Sequence, residues 1–145
     1  MVGHREDDLQ EVARRAVLRT WFARAGSEAP SWFRAQRDPV VGPALRLLEN
    51  NPQRPWTVEE LARCSGVSRA TLAKRFTDVV GEPPIAYLTA WRLALAADLL
   101  REPDTTVARV ARTVGYGSPF TFSTAFKRRY GYSPQEHRRR AALTA

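Results

Sequence analysis

TVEELARCSGVSRATLAKRFTDVVG (Thr57–Gly81) is answered later in the chain by TVARVARTVGYGSPFTFSTAFKRRYG (Thr106–Gly131). Thr57, Val58, Leu61, Ala62 and Gly66 match Thr106, Val107, Val110, Ala111 and Gly115 at an offset of 49. Beyond the turn the offset is 50, where Ser68, Leu72, Phe76, Gly81 and Pro84 match Ser118, Phe122, Phe126, Gly131 and Pro134. The extra residue lies in GYGS against GVS. A structural repeat absorbs such an insertion in a turn and keeps the flanking helices in register.

Each copy reads as two short helices around a tight turn. Thr57 and Glu60 have capping-box spacing, and Trp56 and Leu61 are placed for a hydrophobic staple. Ala62 and Ala111 are small enough to let two helices cross closely, and Gly66 and Gly115 supply the turn. Ser68 caps the second helix, and Leu72 and Phe76 hold it on the first, as Phe122 and Phe126 do in the second copy. The predicted units are two helix-turn-helix subdomains, homeodomain-like, at about 57–80 and 106–130. A helix over about 84–101 joins them. Its apolar residues fall in two stripes, Leu88, Trp91, Leu95 and Leu99 against Ala90, Leu93, Ala97 and Leu100, so it is buried on two sides.

Upstream the pattern is also helical, and no stretch alternates with the period of two that a half-buried strand needs. Leu9, Val12, Ala16 and Phe22 fall at helical spacing. GSEAPS interrupts, and Ser31 is placed to cap a short turn holding Trp32 and Phe33. Asp38 is the expected N-cap of the next helix, with Pro39 in its first position and NNP at its end. The fold class is therefore all-α: a helical N-terminal segment (1–37), the paired subdomains with their joining helix (38–140), and a short tail (141–145).

The 145 residues are 43% hydrophobic and 26% charged, the composition of a folded chain. IAYLTAWRLALAADLL carries Arg92 and Asp98, which speaks against a membrane span. No export signal is evident. The one cysteine, Cys64, excludes an internal disulfide and a cysteine metal cluster, so a reducing cytoplasm is the expected compartment. Residues 1–50 carry eight Arg against seven acids, whereas residues 51–145 carry fifteen Lys and Arg against eight. The repeated half is thus strongly basic, which points to a polyanionic partner.

In a helix-turn-helix the second helix enters the major groove and its N-terminal half meets base edges. The positions exposed there are Arg69, Ala70, Ala73 and Lys74, with Arg75 just beyond, in the first copy. In the second they are Pro119, Phe120, Thr121, Ser123 and Thr124, followed by Lys127, Arg128 and Arg129. The last three lie at a helix end, where they favour the macrodipole and suit phosphate contact rather than base reading. A joining helix of some 16–18 residues is about 24–27 Å long, against about 34 Å between successive major grooves on one face. One chain is then expected to reach two short boxes about 10 bp apart.

WTVEELARCSGVSRATLAKRF, GEPPIAYLTAWRLALAADLL and TTVARVARTVGYGSPFTFSTAFKRRYGYSPQEHR together closely resemble the DNA-binding domain of the AraC/XylS family of bacterial transcription regulators. The resemblance covers about Asp38 to Arg140. It implies seven helices, sequence-specific binding of double-stranded promoter DNA, and usually activation through contact with RNA polymerase. Carried over by position, the family's base-reading sites fall on Ala70, Ala73 and Lys74, and on Pro119, Phe120, Thr121, Ser123 and Thr124. Thr124 stands where many relatives have arginine, and SPF replaces polar residues common at that helix start. Direct readout is therefore expected mainly from the first copy, with phosphates and DNA shape serving the second. Phe120 either touches a thymine methyl or packs.

The N-terminal 37 residues resemble the final helices of a cupin-like sensor domain, without the barrel that would hold an effector. The chain is thus a fragment, a shortened gene product or a free-standing regulator, and the helix around Leu9 to Phe22 is a candidate for homodimerisation. No cofactor or metal is expected. Catalysis is not expected either: His4 and His137 have no partner placed as a nucleophile–base pair, and no phosphate loop is present. Cys64 reads as a small buried or semi-exposed side chain. Asp98, Glu102 and Asp104 read as a solvated helix end. The alternatives are a helical protein-interaction module, or a fragment that occupies DNA without activating.

Overall fold

The computed structural model describes Glu11 and residues 29–144. Among the latter lie eight helices and no strand: α1 (Ala29–Arg37), α2 (Val41–Asn50), α3 (Val58–Ser65), α4 (Arg69–Val80), α5 (Pro84–Leu99), α6 (Val107–Thr113), α7 (Pro119–Tyr130) and α8 (Pro134–Leu143). The seven helices implied by the family resemblance are α2 to α8. The segment around Leu9 to Phe22 lies outside the described residues.

The caps follow the local chemistry. Thr57, Ser68, Thr106, Ser118 and Ser133 each adopt extended backbone and accept a hydrogen bond from the N–H three residues on. Only half of the capping box closes, however. Thr57 Oγ1 accepts from Glu60 N, while the Glu60 carboxylate turns to Arg54 at 3.2 Å. Gly66 ends α3 in the left-handed region at φ 70°, and Val67 N returns to Ala62 O as in a Schellman closure.

Two readings of the first segment are corrected. Ser31 lies inside α1 instead of capping a turn, because the helix already begins at Ala29. Asp38 caps, but Pro39 is not the first helical residue. The Asp38 carboxylate receives Val40 N and Val41 N at 2.9 Å each across an intervening turn, and α2 begins at Val41.

Two cores organise the chain. The first gathers Ala35, Leu45, Leu48, Trp56, Leu61, Ala62, Leu72, Phe76, Tyr87, Leu88 and Trp91 with their neighbours. The second gathers Leu93, Leu95, Ala96, Leu100, Val110, Ala111, Val114, Phe122 and Phe126. Helix α5 is shared, but not as two lengthwise stripes. Its buried residues through Trp91 serve the first core and those from Leu93 serve the other, with half-buried Ala94 still packed on the first. The helix leaves one lobe and enters the next, so burial changes along its axis as well as around it. Within the lobes α3 packs on α4 and α6 on α7, while α5 touches α2, α4, α6 and α7.

Helix α1 belongs to the first lobe, packing on α2 and α4 with Ala35 fully buried. Helix α8 closes the second lobe. His137 Nε2 sits 2.9 Å from Ala97 O, and its ring stacks on Tyr132 at 5.9 Å, 8° from parallel. That packing is a structural role for one of the two histidines. The other, His4, lies outside the described residues.

Candidate nucleic-acid interface

The two second helices present the same construction. In α4 the Ser68 hydroxyl lies 2.8 Å from Thr71 Oγ1 and accepts from Thr71 N. In α7 the Ser118 hydroxyl lies 2.9 Å from Thr121 Oγ1 and accepts from Thr121 N. Each helix buries one face completely, through Leu72 and Phe76 or through Phe122 and Phe126. None of the candidate contact residues is buried. Arg69, Ala70, Lys74 and Arg75 are exposed and Ala73 is half-buried; Pro119, Phe120, Thr121, Thr124, Lys127 and Arg128 are exposed and Ser123 is half-buried.

Several of these side chains have neighbours that define what they can do. Phe120 is 81% exposed, which removes packing as its explanation. A large apolar ring held in water at the start of a helix is available for an apolar partner. Thr124 Oγ1 donates back to Phe120 O at 3.0 Å, so its hydroxyl proton is committed to the helix. Arg69 approaches Glu59 only at 3.9 Å with both side chains largely exposed, a pairing of little energetic consequence. Arg75 is different. Its Nε lies 3.1 Å from both Asp38 oxygens and its Nη2 3.0 Å from Oδ2. Its charge is already matched inside the protein, beside the cap of α2.

The sequence-based candidates omit one residue of these faces. Thr71 is exposed and occupies in α4 the place that Thr121 holds in α7; the offset of 50 is the signal that identifies it. Arg92 lies away from them. It is half-buried in α5, with Nε 2.6 Å from Pro52 O and Nη2 2.9 Å from Arg54 O. A lone cation in a largely apolar helix is the only trace it leaves in the sequence.

Charge is distributed unequally between the lobes. The last turn of α7 carries Lys127, Arg128 and Arg129, whereas the matching positions of α4 are Thr77, Asp78 and Val79. Cys64, expected to be buried or semi-exposed, is exposed on α3. Among the described residues no group of three or more His, Cys, Asp and Glu is placed to hold a metal ion, and no helix is long and apolar enough to cross a membrane.

A helix-turn-helix domain family model matches residues 61–140, which takes in most of both units and all of α5. A putative AraC-like transcription regulator of Streptomyces lividans is 46% identical over 127 residues, covering 88% of this chain and 42% of the relative. The transcriptional regulator AlkR of Acinetobacter baylyi is 40% identical over 111 residues, covering 77% of this chain and 36% of that protein. The chain thus spans less than half the length of these relatives. Among solved structures, an AraC-type transcriptional regulator from Chromobacterium violaceum superposes with a TM-score of 0.69 at 27% identity, over 77% of this chain and 99% of its own. The DNA-binding domain of AdpA, solved with a target DNA, superposes at 0.65 with 31% identity, over 74% of this chain and 96% of its own.

Proposed function

The chain belongs to the AraC-type helix-turn-helix family, and from that premise we propose that it is a sequence-specific DNA-binding transcription regulator whose α4 and α7 enter successive major grooves of promoter DNA. The observation that carries this reading is the matched pair of capped helices. Each has its core face fully buried and its opposite face, near the N-terminus, open and lined by small, polar, basic or aromatic side chains. The AdpA domain, so similar in structure, was solved on DNA.

In this reading Arg69, Ala70, Thr71, Ala73 and Lys74 face one groove. The small alanines allow close approach of the helix, and Lys74 supplies a donor for a guanine edge. Pro119, Phe120, Thr121, Ser123 and Thr124 face the next groove, and Lys127 and Arg128 meet phosphates beside it. Arg75 stays with Asp38 and sets the pose of α4. The work is binding, with no catalytic step.

RNA polymerase is the proposed protein partner, a reading supported by the relative RclR of Escherichia coli, 36% identical over 129 residues, which is described as a transcriptional activator. Homodimerisation through the N-terminal segment and a cytoplasmic location belong to the same proposal. A monomer at every concentration in light scattering would remove the dimer alone.

The decisive experiment is selection of bound sequences from random duplex DNA, followed by titration of the selected site against salt. Two short boxes about 10 bp apart and an affinity that falls steeply with salt are expected. Binding with no sequence preference would favour an adaptor with a basic surface.

A further inference from the structure

The two lobes meet off the axis of α5 as well as through it. Arg92 stands at the changeover of that helix, between Trp91 of the first core and Leu93 of the second. Its guanidinium reaches back to the loop between α2 and α3, donating to Pro52 O at 2.6 Å and to Arg54 O at 2.9 Å. The same loop is touched from the other lobe. Gly115, in the turn between α6 and α7, approaches so closely that a Cβ there would lie 2.9 Å from Gln53 Cα, 3.0 Å from Pro52 O and 3.1 Å from Arg92 Cζ. With φ at +100°, Gly115 also holds a backbone shape that side chains disfavour. Next to it, Tyr116 lies on Phe122 with ring centroids 5.4 Å apart, which ties this turn to the second core.

The loop is itself firmly held. Pro52 is buried, Asn51 N and Nδ2 both donate to Leu47 O, and Trp56 Nε1 donates to Asn51 O at 3.0 Å. Two rigid turns therefore touch beside α5, and Arg92 is bonded to one of them while standing against the other. A single helix leaves two lobes free to flex and swivel about it. A second contact away from its axis removes that freedom.

We propose that Arg92, Gly115 and the 51–56 loop form an interlobe clamp that sets the separation and rotation of α4 relative to α7, and so the spacing of the two DNA boxes the chain accepts. Arg92 and Gly115 are positioning residues: they act on DNA only through the helices they place. The inference rests on the DNA-reading function proposed above and adds the element that fixes its geometry.

The test uses the full chain and the selected site, rebuilt with the interval between boxes shortened or lengthened by one and two base pairs, together with duplexes carrying one box alone. Arg92→Met keeps the apolar stem and removes both donated bonds. The wild-type chain should lose about tenfold in affinity per misplaced base pair, and Arg92→Met only about threefold, with single-box binding unchanged. Gly115→Ala, which wedges a methyl group against the loop backbone, should move the preferred interval itself. A merely structural role would lower binding to every duplex by the same factor, and that result, or an unchanged spacing profile, overturns the clamp. Where heat denaturation shows Arg92→Met to be unfolded, Arg92→Leu, which likewise has no donor, is read by the same criteria. Failure of the wild-type chain to select any site would instead overturn the DNA-reading function, a distinguishable result.

Discussion

Arg75 and Asp38 join the second helix of the first unit to the residue that caps α2: Arg75 Nε lies 3.1 Å from each carboxylate oxygen, and Oδ1 also receives Val40 N and Val41 N. Burial of Asp38 opposes its ionisation, but the Arg75 bond, the Val41 and Val40 N–H groups and the Arg75 charge together hold its carboxyl below the usual aspartate range. A lowered folded pKa contributes stability that is complete above about pH 3.9 and is lost as pH falls through the folded value. Asp38→Ala should lose about 1–2 kcal/mol near neutrality, the usual cost of losing a side-chain acceptor at a helix start, and should lack the part of the acid loss that Asp38 contributes. Arg75→Ala should leave base preference in the selected site unaltered. Urea titrations from pH 3 to 7 check the first expectation, and repeating the selection checks the second.

Glu49 gives a pH dependence of opposite sign. Burial raises its carboxyl from 4.5 to about 6, against the lowering effects of the Tyr87 hydroxyl, which donates at 2.7 Å, and of Gln36 and Arg46. Its contribution is complete below pH about 4.5 and is lost as pH rises through about 6, when a carboxylate must sit part-buried. Glu49→Gln keeps an acceptor for Tyr87 without the charge. The variant should be more stable than wild type at pH 7.5, by at most about 2 kcal/mol, with the advantage vanishing toward pH 4.5. Equal stability of the two at both pH values would refute this account.

The residues that made the fold legible act over three or four positions. Ser68 and Thr71, or Ser118 and Thr121, carry their helix start in their own spacing, and Leu72 with Phe76 declares a buried face. Legibility fell where a residue serves two elements. Asp38 caps a turn as well as a helix, so the start of α2 was expected two residues early. The stripes of α5 gave its burial but not its division at Arg92, because that division depends on where the second lobe lies. Arg92 finds its acceptors about forty residues back in the chain, at Pro52 and Arg54, and no local pattern encodes such a bond. Thr71 shares its place with Thr121 at the offset of 50, but its own hydroxyl also serves the Ser68 cap, which hides its exposure in the sequence.

Lys127 and Arg128 lie on the last turn of α7, exposed and in no ion pair with a carboxylate among the described residues. Phosphate contact is a counterion-release effect, so each alanine variant should weaken binding to all sequences alike and reduce the salt slope by about 1. Lys74→Ala should do something else: relax preference at one base pair in the first box, at a cost of about 1–3 kcal/mol. If Lys74→Ala leaves the selected site unchanged while Thr121→Ala abolishes preference, direct readout belongs mainly to the second unit. Titrations of matched and mismatched duplexes at three salt concentrations separate these effects.

Phe120 supplies the most specific expectation. A ring that is 81% exposed contributes little to folding, so Phe120→Ala should change stability by no more than about 0.5 kcal/mol. At the start of α7 the ring faces the groove floor in the proposed complex, where the one apolar group a base pair offers is the thymine methyl. Losing that contact should cost about 1 kcal/mol, roughly fivefold in affinity, with no change in salt slope, because no charge is removed. Replacing each thymine of the second box by uracil deletes the methyl group alone. One such replacement should weaken the wild-type chain by the same factor and leave Phe120→Ala indifferent, so that the two changes together cost no more than either. Additive losses would mean that ring and methyl do not meet, and α7 would then read its box through Thr121 and DNA shape alone.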